Sequence, residues 1–384
     1  MEERVSVHHA AVRHSPGFAA VERLLAETDV GFEGRQPWDI RVHHTGFFQR
    51  VLAHGSVGFG ESYMEGWWDA DDLDGLLYRL LMAELDVKYR TWDLRLAALR
   101  ARLFNLQKGP RAYEVGRRHY DLDNAVYRAM LGRRLIYSCA YWKDSDNLDD
   151  AQVAKLELVF RKLGLRPGMR VLDIGCGWGE ALKLAAERHG VEGVGITVSR
   201  EQAQHATELC RGLPVRVELA DYRTLQERFD RVFSIGMFEH VGAKNYRSYM
   251  QVVRRCLKDD GLFLLHTIGG NASTLTTDPW IQKYIFPNGM LPSIAQIGAS
   301  IEGLFVMEDW QNLSVHYDLT LEAWLGNFMA HADGLRQKLG STFMRMWRFY
   351  LSASAAAFRA RKNQLWQIVL SPNGLPGGYD ARSV

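Results

Sequence analysis

Apolar positions in the first hundred residues come in short helical bursts separated by glycines. Phe18, Val21, Leu24 and Leu25 recur at three- and four-residue spacing and predict one helix face. In the stretch SVGFGESYMEGWWDADD and just before it, Gly55, Gly58, Gly60 and Gly66 interrupt an aromatic run and predict turns. Asp71–Leu85 reads as a further helix. Between 88 and 118, Trp92, Leu96, Leu99, Leu103 and Leu106 form an apolar stripe, while Lys88, Arg95 and Arg102 share another face. Residues 1–104 are therefore expected to form a small, mostly helical domain that ends in a basic amphipathic linker helix.

From about residue 150 the alternation becomes regular. Helix 151–163 leads to strand 170–174, helix 181–188, strand 193–196, helix 200–211 and strand 215–219. Strand 231–235, helix 245–257 and strand 262–266 follow, then an aromatic, proline-bearing insertion at 271–293. Two late strands, 305–308 and 365–370, flank a helical stretch. A βαβ series of this kind predicts a doubly wound α/β domain, a parallel sheet with helices on both faces, over 105–384.

Charge and cysteine usage narrow the function classes. Lys+Arg of 47 against Asp+Glu of 45 in 384 residues excludes a dominant polyelectrolyte partner, so no nucleic acid is expected. Cys139, Cys176, Cys210 and Cys256 make no C-x-x-C pair, and no metal-ligand spacing occurs, so no metal is expected. The N-terminus has no apolar signal core, and the apolar run 261–268 is far short of the ~20 residues that span a bilayer. A cytoplasmic protein, soluble or peripheral to a membrane, is the expectation. An aromatic stripe beside a basic face, as in 88–118, suits an anionic lipid surface, and it equally suits an interdomain helix with a solvated flank.

The strongest chemical signal is VLDIGCGWG, 171–179. An apolar strand runs into Gly175-x-Gly177-x-Gly179, and a helix follows at once. This is one residue short of the dinucleotide spacing, and it suits S-adenosylmethionine (SAM), which has no pyrophosphate to cradle. Asp173 supplies the acid in that strand. Thr197 and Gln202, at the end of the next strand, can bond the ribose hydroxyls. Asp221 and Tyr222, after the third, offer the adenine a carboxylate and a ring. Ligands of open α/β sheets sit outside the carboxyl ends of the strands. Glu239 follows the fourth strand and His266 ends the fifth, so both are expected to flank the sulfonium.

These residues match a family. The chain resembles bacterial cyclopropane-fatty-acyl-phospholipid synthases and, less closely, the mycolic-acid cyclopropane synthases. The resemblance rests on GESYMEGWW (60–68), RLFNLQ (102–107), HYDLDNAVY (119–127), YSCAYW (137–142), VLDIGCGWG, GMFEHVG (236–242), LLHTIG (264–269), DPWIQKYIFPNG (278–289), the Tyr317 region and AFRAR (357–361). It implies a class I SAM-dependent methyltransferase (Rossmann-like) fold and a phospholipid alkene that attacks the SAM methyl. It also implies that a bound bicarbonate removes the proton that closes the ring. The groups implied to hold bicarbonate are Cys139, Glu239, His266, the main chain of Ile268, and Tyr317. Tyr137 and Ser138 are implied to contact the SAM carboxylate end. A homodimer at the inner face of the cytoplasmic membrane is implied as well. Cys139 has no obvious base nearby, so main-chain contacts are expected rather than thiol chemistry. Ser354 stands where several relatives carry cysteine, and Glu180 where glycine is common. The insertion 278–292, with Trp280, Tyr284 and Phe286, is a candidate lining of an acyl tunnel; the alternative is a packed cap over the cofactor. A methyltransferase giving methyl-branched lipid, or acting on a small molecule, would share the cofactor half of this pattern.

Overall fold

The structure is a computed structural model that describes residues 12–85 and 124–381. The basic amphipathic segment 88–118 and the expected domain boundary at 104 lie outside the described residues.

A seven-stranded sheet organises the larger part of the chain, in the order β5-β4-β3-β6-β7-β9-β8. Its strands are β3 (Arg170–Ile174), β4 (Glu192–Thr197), β5 (Val215–Leu219), β6 (Phe229–Ile235), β7 (Leu257–Gly270), β8 (Val306–Asn312) and β9 (Asn363–Ser371). β5 through β7 run parallel, and β9 enters antiparallel between β7 and β8. The doubly wound expectation therefore holds, with the late strands forming one antiparallel edge. β3 and β7 are almost continuously buried, as strands covered on both faces must be.

Helices α5 (Leu148–Leu163), α6 (Glu180–His189), α7 (Arg200–Leu209) and α8 (Tyr246–Cys256) cover the sheet. The start of α5 is set by Asn147, whose side chain accepts from Asp150 N at 3.0 Å, and its end by Gly164 in the left-handed region. One apolar cluster lies on each sheet face, around Leu172, Phe263 and Ile368 and around Val171, Phe233 and Leu264. The chain order reverses between β3 and β6, which opens a crevice at their carboxyl ends.

The N-terminal part consists of α1 (Phe18–Leu25), β1 (Arg41–Val42), α2 (Phe47–Met64), β2 (Trp68–Asp69) and α3 (Leu73–Met82); α4 (Asn124–Met130) follows the undescribed segment. The glycine-rich stretch is mostly helix rather than turn. α2 is broken only at Gly55, φ 55 and ψ −130, and continues through Gly58 and Gly60. Those glycines serve close approach instead. A Cβ at Gly60 would stand 2.5 Å from the Trp280 ring, and one at Gly58 would run into the Arg50 carbonyl.

Later in the chain come α9 (Pro279–Tyr284), α10 (Ile294–Ile301), α11 (Ser314–Ala330) and α12 (Ala332–Arg359). The third apolar cluster joins Phe48, Trp68 and Leu76 of the N-terminal part to Trp280, Trp324, Trp347 and Phe349. Arginines on α12 bind across this contact. Arg359 pairs with Asp74 at 2.8 Å and with Asp318 at 2.9 Å, and Arg345 pairs with Asp69 at 2.7 Å.

Candidate active site

The glycine loop after β3 is held in conformations that only glycine adopts freely. Gly175, Gly177 and Gly179 have φ of 92, 53 and 91. A Cβ at Gly175 would lie 2.9 Å from Met237, and one at Gly179 would meet Ala206 of α7 at 2.7 Å. The loop therefore packs against the turn after β6 on one side and against α7 on the other, and α6 starts directly behind it. Glu180, the first residue of α6, pairs with Arg134.

Asp173 is buried in β3, and its Oδ1 has no hydrogen-bond partner among the described residues. Burial pushes its carboxyl up to about 8, against the pull of Lys155. Thr197 and Gln202 are brought together: the Thr197 hydroxyl donates to Gln202 Oε1 at 2.8 Å, and Ser199 caps α7 between them. Asp221 follows β5 and is engaged by Arg223 Nε at 2.9 Å. Burial pushes Asp221 up, but the Arg223 hydrogen bonds outweigh it and hold the carboxyl below its usual range. Tyr222 packs edge-on to Tyr249.

Glu239 lies in a 3-10 turn, Phe238–His240, at the end of β6. Its Oε1 accepts from the Ile268 main-chain N–H at 2.7 Å, while Oε2 is buried without a partner among the described residues. Burial raises this carboxyl to about 7, with the Ile268 N–H pulling the other way. β7 runs on to Gly270, beyond the predicted end, and so carries both His266 and Ile268. Gln367 of β9 places its Nε2 at 3.2 Å from His266 Nδ1. With that amide donating, the ring proton sits on Nε2, which is itself buried and unpartnered among the described residues. Burial holds His266 well below the usual imidazole range, so it is neutral.

Tyr317 comes from α11, buried between Phe358 and Trp324. The Tyr137 and Tyr350 hydroxyls bond at 2.7 Å, and the Ser138 hydroxyl accepts from Lys155 Nζ at 2.9 Å. Cys139 is fully buried; its thiol donates to the Ala140 carbonyl at 3.1 Å and burial pushes its pKa up. A protonated thiol in that setting is no nucleophile.

One cavity of about 710 Å³ gathers every site residue expected from the sequence except Gly179. It is lined by Tyr137, Ser138, Cys139, Asp173, Gly175, Gly177, Thr197, Gln202, Asp221, Tyr222, Glu239, His266, Ile268 and Tyr317. The insertion contributes Trp280, Ile281, Phe286 and Met290 to the lining, and Ser354 borders it too. The sequence reading missed the opposite wall. Val21, Leu25, Ile40, Phe47, Val51, Leu77 and Leu81, from the N-terminal part, line the same cavity. It also missed Lys155 and Gln367. Lys155 sits on the buried stripe of α5 with Ala151 and Val159, and a lysine at an apolar helical period is the signal that could have found it.

This cavity brings the residues at the strand ends, an apolar wall from the N-terminal part, the Glu239 carboxyl and the neutral His266 imidazole to one space. The family described as Mycolic acid cyclopropane synthetase matches residues 107–368. The chain belongs to that family. It is 50% identical to the cyclopropane-fatty-acyl-phospholipid synthase of Escherichia coli (strain K12) over 375 residues, 96% of this chain and 98% of that protein. Among solved structures, it resembles the mycolic acid cyclopropane synthase CmaA1 complexed with SAH and CTAB. That likeness has a TM-score of 0.63 and 33% identity, over 67% of this chain and 97% of that one. Coclaurine N-methyltransferase bound to N-methylheliamine and SAH is similar at a TM-score of 0.68 and 25% identity, covering 82% of this chain and 99% of that one. The cyclopropane synthetase chain described here is thus an enzyme on the class I methyltransferase fold.

Proposed function

We propose that this enzyme uses S-adenosylmethionine to convert the cis double bond of a phospholipid acyl chain into a cyclopropane. The observation that carries the reading is the single cavity in which the glycine loop, Glu239, His266 and an apolar wall from the N-terminal helices meet. Identity to the E. coli synthase over nearly the whole chain, including that wall, supports the lipid substrate over a small one.

The residues fit the two groups the reaction requires. Asp173, Gly175, Gly177, Gly179, Thr197, Gln202, Asp221 and Tyr222 would hold SAM, with Tyr137 and Ser138 toward its amino-acid end. SAM supplies an electrophilic methyl, and a bound bicarbonate supplies an oxygen base. The orphaned Glu239 Oε2 and His266 Nε2 suit a small oxyanion bearing one O–H: the first accepts that hydrogen and the second donates to an oxygen. Tyr317, Cys139 and Ile268 line the same space. Here the Ile268 N–H is committed to Glu239, so its part is to fix the carboxyl's orientation.

An alkene is a weak nucleophile, so the protein's work is alignment and exclusion of water. The apolar walls do both, and the ring of Tyr317, supported by Phe358 at a centroid distance of 4.5 Å, offers a π face to positive charge. Leu81 is half-buried and lines the cavity, so Leu81→Trp fills space without displacing core. This variant is expected to lose at least tenfold in turnover on long-chain vesicles with SAH affinity unchanged, measured by acyl-chain analysis and calorimetry. Equal loss of SAH binding would remove Leu81 from the acyl path.

No helix among the described residues is long and apolar enough to cross a membrane. Docking is assigned to the basic segment 88–118, at the inner face of the cytoplasmic membrane, with the enzyme working as a homodimer. Arg95→Glu with Arg102→Glu is expected to weaken binding to anionic vesicles in sedimentation assays. The difference from the parent protein should vanish at high salt. Unchanged binding at low salt would take that segment out of membrane docking.

The deciding experiment incubates the protein with SAM and vesicles of cis-monounsaturated phospholipid, with and without bicarbonate, and identifies the acyl products by mass spectrometry. A cyclopropane product that requires bicarbonate supports both reaction and anion. A methyl-branched product, or none while SAH still binds, overturns the reading.

A further inference from the structure

Lys155 is a cation placed where the fold tolerates few. It lies on α5 at 1% exposure, borders the cavity, and has the Ser138 hydroxyl, at 2.9 Å, as the one hydrogen-bond acceptor found for it among the described residues. An ammonium can only donate. The Ser138 oxygen therefore spends a lone pair on Lys155, and its own O–H is left to point elsewhere. One turn earlier on α5, Gln152 donates to the Ser138 carbonyl at 2.8 Å, so the serine is held from two sides by the same helix.

The charged and titratable groups that face Lys155 are few. Asp173 of β3 and the Cys139 thiol both act on its charge, and the charge in turn acts on His266 of β7. The thiol is protonated and the imidazole neutral, so Lys155 and Asp173 are the two groups here whose charge a ligand can set. Asp173 Oδ1 is a buried acceptor with no partner among the described residues. Burial lowers Lys155 and raises Asp173, and a ligand that brings both a carboxylate and an ammonium favours the ionised form of each.

We propose that Lys155 is a positioning residue for the cosubstrate: it aims the Ser138 hydroxyl at the α-carboxylate of the amino-acid portion and supplies its counter-charge, while Asp173 takes the ammonium. The inference rests on the reading that SAM occupies this cavity. It makes the pair Lys155–Asp173 a receptor for a zwitterion, and it predicts discrimination between adenosyl ligands with and without that zwitterion.

The test compares SAH with 5′-deoxy-5′-methylthioadenosine, which keeps the nucleoside and sulfur but has no amino acid. Titration calorimetry on Lys155→Met is expected to show SAH weakened about tenfold to hundredfold, the value of a hydrogen bond to a charged group. Methylthioadenosine should bind within about twofold of the parent protein. Equal weakening of both ligands makes Lys155 structural and overturns the proposal, as does unchanged SAH affinity. Unchanged SAH affinity with a raised bicarbonate requirement would move the counter-charge to the other anion, and it too would overturn the assignment. Should Lys155→Met not fold, Lys155→Gln carries the same test: it keeps a polar side chain on α5, removes the charge and is expected to show the same selective loss for SAH, and unchanged SAH affinity in that variant overturns the proposal. If the unmodified protein binds neither ligand, the SAM reading itself has failed, and the two failures are thereby told apart.

Discussion

Glu239→Gln is expected to lower turnover by a factor on the order of 10²–10⁴, the usual contribution of a positioned proton acceptor. SAH affinity should stay within about threefold. The substitution keeps the Oε1 contact to the Ile268 N–H, so the turn after β6 retains its anchor. What changes is Oε2, the buried oxygen without a partner, which becomes an amide donor and can no longer accept. The pH profile separates this from a steric effect. Burial holds the Glu239 carboxyl at about 7, so its ionised fraction grows as pH rises through neutrality. Turnover of the parent protein should climb between about pH 6 and 8, and the Gln variant should lose that limb.

Stability should move the opposite way. A carboxyl that titrates near 7 in the fold and near its ordinary ~4.3 in the unfolded chain binds its proton more tightly when folded. The associated stability is fully present below ~4.3 and is lost as pH rises toward 7. At pH 8 the buried charge thus costs the parent protein roughly 4 kcal/mol at most. Glu239→Gln should therefore melt higher than the parent at pH 8, and the gap should close in acid. A variant that loses activity and also melts lower at pH 8 would show that Glu239 holds the fold rather than the anion.

Local pattern carried the catalytic sheet well, because each strand is a short run whose neighbours in sequence already state its burial. β3 and β5 occupy the predicted ranges, 170–174 and 215–219. The strand-end rule then located Glu239 and His266 without knowledge of any contact. Residues whose meaning depends on distant partners were less legible. Gly60 reads as a turn former until Trp280, far along the chain, lies across it. Lys155 stands at an apolar position of its helix, but that period does not say that β3 and Ser138 will close over it. Gln367 sits in a strand that enters the sheet antiparallel from the far end of the chain, and no periodicity states which histidine it will face. The N-terminal cavity wall was hidden for the same reason: its leucines show a helix face but not what the face looks at.

Gly60→Ala is expected to damage both the fold and the cavity wall. The added methyl would stand 2.5 Å from the Trp280 ring, which is itself almost fully buried and packs edge-on to Phe349 at 4.7 Å. Neither side has room to give. α2 is pinned by Arg50, Glu61 and Glu65, and Glu61 reaches α9 through Lys283 and Tyr284. Overpacking of this kind costs ~1–3 kcal/mol, occasionally more. Because Trp280 also lines the cavity, the damage should reach function: turnover on vesicles should fall with the melting temperature, while SAH binding at the strand ends persists. The decisive measurement is a double-mutant cycle with Trp280→Leu. That change alone should destabilise by leaving space, yet in the Gly60→Ala background it should restore part of the loss, since the smaller side chain clears the clash. Strictly additive destabilisation would mean that the contact between α2 and the insertion does not set the position of either.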